Sequence, residues 1–451
     1  MFPAVSPRAQ HLIDTLKKFV EEDCIPNEER YERELGEGKD RWKASKNKHK
    51  IQKQCCYNFD TRNTCISRFC NEPPVLEELK TKAKKLGLWN LFLPKEYKES
   101  PGLTNYEYAQ MCEIMGRSQK IAPTATNCNA PDTGNMEVFA KYGNDAQKQK
   151  WLVPLMEGKI RSSFAMTEPA VPSSDATNIS CNLSHTKGGY LINGKKWWIS
   201  NAGHPNLKVF LVMVRSGKTN EELANSPGGI GLQDIHKQHS VVIVPADTPG
   251  VQVHRPLHVF GYDDAPHGHC EVTFDNAFIP HENMVLGEGR GFEIIQGRLG
   301  PGRLHHAMRA IGMAERAFDT MVDRAMGRII QGQPLVEKGV IMDWIAKSRI
   351  QIDSARLLVL NASHAVDVKG ARRSKKEIAL AKIYVPNIAL AVVDRAIQVH
   401  GAMGVCQDTP LAYLHARLRT LRLADGPDEV HAYQIARNEI KIAKTRLESK
   451  L

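Results

Sequence analysis

The segment Leu423-Ala-Asp-Gly-Pro-Asp-Glu-Val-His431 carries a carboxylate, that of Asp425, immediately before a Gly-Pro pair that predicts a turn. A carboxylate buried in an apolar pocket has a raised pKa, and it can then remove a weakly acidic proton. Leu421 and Leu423 supply apolar surroundings for such a group. Taken alone, Asp425 would be a surface residue of a turn, so its chemistry depends on what other segments supply.

Two further segments combine hydroxyl groups with aromatic side chains. Phe164-Ala-Met-Thr-Glu-Pro-Ala-Val-Pro-Ser-Ser-Asp175 has small hydroxyl residues on an extended stretch, and Lys196-Trp-Trp-Ile-Ser-Asn201 places a tryptophan pair before a serine. Hydroxyl groups suit the polar edge of a planar ring, and an indole can pack on its face. A tryptophan pair alone is typical of a packed sheet, whereas its combination with Thr-Glu-Pro favours a cofactor site.

The three segments together resemble the acyl-CoA dehydrogenase family, and the resemblance runs from about Pro74 to the C-terminus. The sequence of residues 424–429 is closest to the dehydrogenase portion of family members ten and eleven. The resemblance implies FAD-dependent α,β-dehydrogenation of an acyl-CoA, long-chain or 4-hydroxylated, to a trans-2-enoyl-CoA in fatty-acid β-oxidation. It also implies an α+β fold with an N-terminal helical domain, a middle β-barrel-like domain and a C-terminal four-helix bundle.

The catalytic base of this family is usually a Glu followed by Gly, and the matching pair here is Asp425-Gly426. The side chain of Asp425 is one methylene shorter, a difference that the ten and eleven subgroup shares. Some relatives place the base next to a position that matches Gly302, where this chain has no carboxylate. Asp425 is therefore the predicted catalytic base.

The resemblance also implies the binding residues. Cofactor contacts are expected at Phe164, Met166, Thr167, Ser173, Ser174, Trp198, Ile199, Ser200, Arg328, Gln398, Gly401, Ala402, Pro427 and Glu429. Substrate contacts are expected at Ser174, Gly300, Arg303 and Gly426. Ser173 is the alternative register for Ser174, because the chain has an extra residue here and Pro172 before it.

Two of these segments imply contacts across a subunit boundary. Arg328 matches an arginine that clamps the FAD pyrophosphate, since a planar guanidinium pairs with phosphate oxygens. Gln331 and Gly339 depart from the family pattern, so an exposed helical arginine is the alternative. Gln398-Val-His-Gly-Ala402 resembles the segment that receives the ADP half of the cofactor. We therefore expect a homodimer or homotetramer, with an acyl-CoA substrate and electron-transferring flavoprotein as a candidate partner.

The composition is that of a globular protein: 451 residues with 42% hydrophobic and 25% charged residues suffice for two or three domains. No apolar run reaches roughly 18 residues, so no transmembrane segment is expected. The net charge of +11 could suggest a nucleic-acid partner, but residues 38–70 alone contribute +7 of it. We expect no nucleic-acid partner.

Residues 38–70 form an atypical basic insertion with four cysteines, Cys55, Cys56, Cys65 and Cys70. Their spacing matches no usual zinc pattern, and no metal is expected. The segment is interpreted as a disordered insertion or a mis-spliced stretch. The C-terminal Ser449-Lys450-Leu451 has the form of a peroxisomal import signal, so the peroxisome is the predicted location and the mitochondrion the alternative.

The hydrophobic period places the segments on predicted elements. Helices are predicted at 9–22, 75–86, 106–115, 145–156 with Asp145 as N-cap, 292–328, 335–368, 375–400, 409–418 and 428–447. Strands are predicted as a hairpin over 187–199 with an Asn193-Gly194 turn, and at 209–214, 240–244 and 270–274. The predicted domains are 1–160, 161–288 and 289–451.

Histidines near these segments are not expected to act chemically. His305 and His306 adjoin Arg303, but neighbours on a helix do not share a face. His267 and His269 lack acidic partners nearby in the sequence, so a role in a loop is expected.

Three other functions compete with the dehydrogenase. A peroxisomal acyl-CoA oxidase would pass electrons to oxygen, although the oxidases resembled are considerably longer. A nitroalkane oxidase also uses an Asp base on this fold. A non-catalytic binding module of the same fold, even one that binds DNA, would have no need for Asp425, Thr167 and Ser200.

Overall fold

The computed structural model describes residues 2–36, 72–225 and 235–449. The predicted insertion at 38–70 and the last two residues of the C-terminal tripeptide lie outside the described residues. The chain divides into two compact units. The helical unit comprises Met1–Glu28, Thr81–Thr126 and Leu299–Leu451, and the sheet unit comprises Glu29–Lys80 and Asn127–Arg298.

The helical unit is built mainly from long helices, and all but the short, unpredicted Ala122–Ala125 agree with the predicted ranges to within a few residues. Its helices include Pro7–Lys18, Asn105–Gly116, Ala122–Ala125, Gly339–Lys369, Lys375–His400, Leu411–Leu421 and Asp428–Glu448, together with residues 299–327 of the helix Gly291–Gly327. Thr104 caps the second of these, because its hydroxyl accepts from the backbone N–H of Glu107 while the Glu107 carboxylate accepts from the backbone N–H of Thr104.

Glycines allow two helices of this unit to approach closely. A Cβ added at Gly312 would lie 1.9 Å from the carbonyl oxygen of Glu113, and one at Gly116 would lie 2.2 Å from that of Arg309. Only residues without a side chain fit at such a crossing. Beside it, the rings of Tyr108 and His305 pack edge to face with centroids 4.9 Å apart. This contact fixes the helix stretch that follows Arg303.

The described residues of the sheet unit form a seven-stranded sheet. Its strands are β1 Arg161–Ala165, β2 Asn182–Thr186, β3 Gly189–Ser200, β4 Leu207–Arg215, β5 His239–Pro245, β6 Val251–Leu257 and β7 His269–Pro280. They pair in the order β1-β4-β2-β3-β7-β6, with β5 on the other side of β4. The β1–β4 pair is parallel, whereas β3–β7 and β4–β5 are antiparallel. Alternate residues of these strands fill one apolar core.

The predicted hairpin has its turn elsewhere. Thr186 pairs with Gly189, so Lys187 and Gly188 form the turn, and Gly188 has φ +82°. The predicted Asn193-Gly194 turn is wrong, because both residues lie inside β3, where the pairing with β7 shifts register at a bulge. Asn-Gly favours a turn only as a local preference, and the long pairing of β3 with β7 overrides it.

The remaining helices are short. In the described part of the chain they include Glu28–Leu35, Pro74–Lys85, Asp132–Tyr142, Asp145–Gln147, Val153–Met156 and Asn220–Ala224, with a wider helical turn over Lys148–Leu152. The predicted N-cap at Asp145 is wrong by one residue: Asn144 is the cap, and its side chain accepts from the N–H of Gln147. Among the described residues, no helix combines the length and apolar character that spanning a bilayer requires.

Candidate active site

A buried ion pair joins two of the predicted segments in the sheet unit. The ammonium of Lys196, in β3, lies 2.8 Å from Oε1 of Glu168, and both side chains are almost fully buried. The same ammonium donates to the carbonyls of Met166 at 2.9 Å and Met213 at 2.7 Å. Although burial alone would raise the pKa of Glu168, Lys196 and hydrogen bonds that include one from Ser180 lower it. Met-Thr-Glu-Pro is thus fixed against β3.

Backbone and hydroxyl contacts continue this junction. Thr167 Oγ1 donates to the carbonyl of Trp197 at 2.6 Å, and the N–H of Trp197 donates to the carbonyl of Thr167 at 3.0 Å. Ser163 Oγ, in β1, donates to the carbonyl of Ser200 at 2.6 Å. The hydroxyl oxygen of Thr167 therefore keeps lone pairs that can accept a hydrogen bond from a ligand. The hydrogen bond from Ser163 fixes the backbone position of Ser200 in β3.

The tryptophan pair does not simply fill the sheet core. Trp198 has φ +55° at an irregular stretch of β3, and 40% of the residue is exposed. The next residue, Ile199, is buried in the core, so only its backbone can contact a ligand. Phe164 is half-buried, and the guanidinium of Arg298 stacks on its ring at 4.1 Å. Phe164 is therefore already occupied on one face by a cation.

The two serines that compete for one predicted role have different partners. Ser173 Oγ accepts from the backbone N–H of Glu168 at 2.9 Å, so it shapes its own turn. Ser174 is exposed. This difference favours Ser174 as the residue available to a phosphate or CoA group, while Ser173 positions the turn.

These groups fit the FAD that the sequence predicts. A flavin has apolar faces and polar edges, and the sheet unit combines the exposed indole of Trp198 with the hydroxyls of Thr167 and Ser200. Large apolar side chains of this sheet are otherwise mostly buried. An exposed ring beside hydroxyl groups is expected where a planar ligand covers it.

His269 has an acidic partner, contrary to the sequence expectation. Its Nε2 lies 3.2 Å from Oδ2 of Asp264, and its Nδ1 lies 2.9 Å from Oγ of Ser200. His267 behaves differently: its Nδ1 lies 2.9 Å from the side-chain oxygen of Asn201, and burial lowers its pKa well below the usual value. Sequence reasoning missed the contact between His269 and Asp264, although Asp264 is only five residues before His269, because it depends on the loop turning back, as the hydrogen bond from the N–H of Gly268 to the carbonyl of Asp264 shows.

In the helical unit, Asp425 lies in the loop between the helices Leu411–Leu421 and Asp428–Glu448. Its φ is +57°, in the left-handed region that Asp and Asn adopt more readily than most residues. Arg303 Nε donates to the backbone carbonyl of Asp425 at 2.8 Å. A Cβ added at Gly302 would lie 3.5 Å from Oδ2 of Asp425. The carboxylate is therefore adjacent to the very helix position that carries no side chain.

His306, which the sequence analysis did not expect to act chemically, lies next to this carboxylate. Its Nε2 lies 3.5 Å from Oδ2 of Asp425. Burial lowers the pKa of His306 to about 3, and although Asp425 raises it, cations such as Arg309 and Lys382 lower it further. His306 is thus a neutral neighbour of Asp425. The sequence places it one residue from His305, but its partner is 119 positions away.

Lys382 holds the loop from a neighbouring helix. Its buried ammonium donates to the carbonyl of Leu421 and, at 3.4 Å, to that of Gly426. Burial lowers the pKa of Lys382 to about 8, although Asp425 and Asp428 raise it. No motif marked this lysine, and only its place on an otherwise apolar helix face could have drawn attention to it.

The other predicted residues lie at the surface of the helical unit. Arg328 is exposed between the helix Gly291–Gly327 and a two-residue strand. Gln398, Gly401, Ala402 and Glu429 are exposed, and Gly300, Pro427 and Gly426 are half-buried. Gly426 has φ +103°, and a Cβ there would lie 3.0 Å from Nε2 of His431. Exposure leaves these residues available to a ligand or a second subunit. Within the described ranges, no group of three or more His, Cys, Asp or Glu side chains is arranged to hold a metal ion.

Three stretches of the chain match domains of one family. Residues 70–159 match the acyl-CoA dehydrogenase N-terminal domain, residues 163–277 the middle domain, and residues 289–440 the C-terminal domain. FadE2 of Mycobacterium tuberculosis, described as an acyl-CoA dehydrogenase, is 51% identical over 373 residues, which is 83% of this chain and 87% of that protein. The chain belongs to the acyl-CoA dehydrogenase family.

Acyl-CoA dehydrogenase family member 10 of mouse is 46% identical over 97% of this chain, and family member 11 of mouse is 45% identical over 99%. The chain spans only 37% and 52% of the length of these two relatives. A solved structure of a Mycobacterium abscessus protein described as an acyl-CoA dehydrogenase has a TM-score of 0.84 and 42% identity, and the match covers 98% of this chain and all of that one. The predicted family and three-part fold are confirmed.

Proposed function

We propose that this chain is an FAD-dependent acyl-CoA dehydrogenase in which Asp425 removes the α-proton of an acyl-CoA, with a trans-2-enoyl-CoA as the product. Members of the family are FAD-dependent oxidoreductases. Bound FAD would supply the acceptor for the hydride that leaves the β-carbon. The observation that carries the proposal is the carboxylate of Asp425, held in a left-handed turn beside Gly302, Arg303 and His306.

Each neighbour of Asp425 has a distinct part in the proposed proton removal. Arg303 and Lys382 donate to backbone carbonyls of the loop. These hydrogen bonds fix the position from which the short side chain of Asp425 extends. Gly302 leaves space beside Oδ2, where a substrate carbon could approach. His306 is neutral, so it adds no full charge next to the base. A positioned carboxylate in such a setting contributes about 10²–10⁴-fold to a proton transfer.

The proposal is tested by anaerobic titration of the FAD-loaded protein with a long-chain acyl-CoA, followed by the visible absorbance of the flavin. Asp425→Asn is the matched variant, because Asn also adopts the left-handed conformation but cannot accept the proton. We expect the wild type to bleach and the variant to bleach about 10²–10⁴ times more slowly. Equal bleaching rates would exclude Asp425 as the base, and FAD binding without bleaching by any acyl-CoA would exclude the substrate class.

The substrate proposed within this class is a long-chain or 4-hydroxylated acyl-CoA of fatty-acid β-oxidation. The sequence of residues 424–429 and the likeness to members 10 and 11 support it. A panel of acyl-CoAs that differ in length and in a 4-hydroxyl group, compared by kcat/KM, tests this choice. A clear preference for short, unsubstituted chains would overturn it.

The electron acceptor separates the dehydrogenase from an oxidase. We expect the acyl-CoA-reduced protein to reoxidise slowly in air and quickly with electron-transferring flavoprotein, whereas an oxidase would do the reverse. The peroxisomal location stays a prediction that favours the oxidase, and imaging of the chain with and without Ser449-Lys450-Leu451 tests it.

A homo-oligomer is part of the proposal, because the predicted cofactor residues include Arg328 and the 398–402 segment. Apolar side chains on the helix Gly339–Lys369 are exposed, among them Met342, Ile350 and Leu357 at 59%, 65% and 56%. Exposed apolar residues in such number are typical of an interaction surface. Sedimentation of the FAD-loaded protein would show a dimer or tetramer, and a stable monomer would contradict this part.

A further inference from the structure

Ser200, His269 and Asp264 form one hydrogen-bonded series in the sheet unit. Ser200 ends β3 and is the cross-strand partner of His269, which begins β7. Ser200 Oγ lies 2.9 Å from Nδ1 of His269, and Nε2 of His269 lies 3.2 Å from Oδ2 of Asp264. Asp264 lies in the loop before β7, and its backbone carbonyl accepts from the N–H of Gly268 at 2.8 Å. The three side chains therefore belong to a closed and locally fixed structure.

The acidic end of the series determines the direction of its hydrogen bonds. An ionised carboxylate can only accept, so Nε2 of His269 carries a hydrogen and donates to Asp264. In the neutral ring the other nitrogen, Nδ1, is then an acceptor, and it takes the hydroxyl hydrogen of Ser200. The oxygen of Ser200 is left with lone pairs only. Beside a neutral His269 with its hydrogen on Nε2, Ser200 is therefore an acceptor toward a further ligand and not a donor.

The series ends at the group that is predicted to contact the flavin. The side chains of His269 and Asp264 are only 16% and 8% exposed, so bulk water has little access to them. The ring of His269 lies 5.9 Å from the exposed ring of Trp198. Asp264 has φ +53°, an unfavourable conformation for most residues, which the closed loop maintains.

We propose that Asp264 and His269 are positioning residues that commit the Ser200 oxygen to accepting a hydrogen bond, so that the protein favours reduced over oxidised flavin. A reduced flavin carries an N–H at N5, where an oxidised flavin has a lone pair. A flavin bound with its N5 edge toward Ser200 would therefore donate to this oxygen only when reduced. This inference rests on the proposed function for the presence of FAD, but it needs neither Asp425 nor an acyl-CoA.

The test uses Asp264→Asn, a variant of nearly the same size that can also donate. An amide N–H facing Nε2 favours the opposite tautomer, in which Nδ1 donates to Ser200 and the hydroxyl hydrogen turns outward. The FAD-loaded protein is reduced electrochemically without acyl-CoA. At a fixed applied potential, we expect the ratio of reduced to oxidised flavin to fall roughly fivefold in Asp264→Asn, the factor that one hydrogen bond provides. His269→Phe, which removes the acceptor of the hydroxyl hydrogen, should lower the ratio in the same direction.

His254→Gln is the control, because His254 contacts Thr273 on the same sheet at 2.7 Å and takes no part in the series. We expect its ratio to equal that of the wild type. Wild-type ratios in both Asp264→Asn and His269→Phe would overturn the inference. An equal fall in all three variants would also overturn it, since it would reflect a general loosening of the sheet.

A second measurement needs no flavin. Nitrogen-15 NMR of the histidine-labelled protein distinguishes the two neutral tautomers, and we expect hydrogen on Nε2 of His269 in the wild type and on Nδ1 in Asp264→Asn. Hydrogen on Nδ1 of His269 in the wild type, in a neutral or a protonated ring, would overturn the inference. Failure of acyl-CoA to bleach the flavin would leave both results untouched, so the inference and the proposed reaction fail separately.

Discussion

The Met-Thr-Glu-Pro junction in the sheet unit and the Asp425 loop in the helical unit hold their functional groups in different ways. At the junction, a buried ammonium and a buried carboxylate pair directly, and each takes further hydrogen bonds from or to the surrounding chain. In the loop, Arg303 and Lys382 donate to backbone carbonyls, and a neutral histidine stands beside the carboxylate. At the junction, the charged side chains form an ion pair with each other. In the loop, the cationic side chains instead donate hydrogen bonds to the backbone.

This difference distinguishes a carboxylate that stabilises the fold from one that can accept a proton in a reaction. A buried carboxylate with a direct ammonium partner, such as Glu168, has its pKa lowered and is a poor proton acceptor. A base must keep its affinity for a proton, so cations are better placed on the backbone that carries it. The comparison therefore identifies Glu168 as structural, although it lies in the segment with the most recognisable motif.

The largest expected effect concerns the buried ion pair of Lys196 and Glu168. Lys196→Met leaves the carboxylate of Glu168 buried without its ammonium, and removal of one partner of a buried pair costs about 3–5 kcal/mol. We expect the free energy of unfolding, measured by urea denaturation, to fall by that amount. The neighbouring Lys195→Met is the control, because Lys195 is half exposed and its ion pair contributes below about 1 kcal/mol. Similar losses of unfolding free energy in both variants would show that the buried ion pair of Lys196 contributes no more than the half-exposed ion pair of Lys195.

The second effect concerns the pH stability of the helical unit. Burial lowers the pKa of His305 to about 3, whereas the unfolded chain has a value near 6.5. Below pH 6.5 the unfolded state binds a proton that the folded state refuses, so stability falls as the pH drops toward 3, by roughly 1 kcal/mol per pH unit. We expect His305→Gln to unfold at a lower pH than the wild type in an acid titration followed by circular dichroism.

The control for this titration is His11→Gln, which changes an exposed histidine of the same unit. We expect it to unfold at the pH of the wild type. If His305→Gln also keeps the wild-type midpoint, His305 does not set the acid limit of the helical unit.

The smallest effect concerns the space around Asp425, the proposed base. Gly302→Ala places a methyl group 3.5 Å from Oδ2 of Asp425, at ordinary contact distance, so the fold can accept it. Because alanine favours a helix interior over glycine, we expect a gain of about 0.5–1 kcal/mol in stability. Turnover of acyl-CoA should nevertheless fall about tenfold or more, since the methyl group occupies the approach to the carboxylate.

Gly327→Ala, at the end of the same helix, is the matched substitution, because a Cβ there meets nothing within 4 Å. We expect full turnover from it. A Gly302→Ala protein with unchanged kcat and KM would show that the substrate does not approach Asp425 from this side.

Long periodic elements were predictable from the sequence, whereas contacts between distant segments were not. The helices Gly339–Lys369 and Lys375–His400 agree with the predicted ranges within a few residues, because many turns repeat the same apolar spacing. The Asn193-Gly194 turn was wrong because a dipeptide preference contains no information about the partner of the strand. Asp425 stood out through its motif, and the structure adds what surrounds it.

Most of the contacts that sequence reasoning missed join residues that are far apart in the sequence, although Asp264 is only five positions from His269. His306 contacts a carboxylate in a later loop, and Lys382 reaches the same loop from another helix. His269 and Ser200 meet only because β3 and β7 pair in one particular register. Each signal arises from tertiary pairing, which a single sequence does not display.

The left-handed backbone at Asp425 has a consequence for how this enzyme lineage can vary. Asp and Asn tolerate that conformation, whereas a longer side chain such as Glu is strained there by about 1–2 kcal/mol. Exchange of the two acids at this position is therefore not a matter of reach alone. A descendant with Glu would first have to reshape the turn, so the choice of acid and the shape of the loop are inherited together.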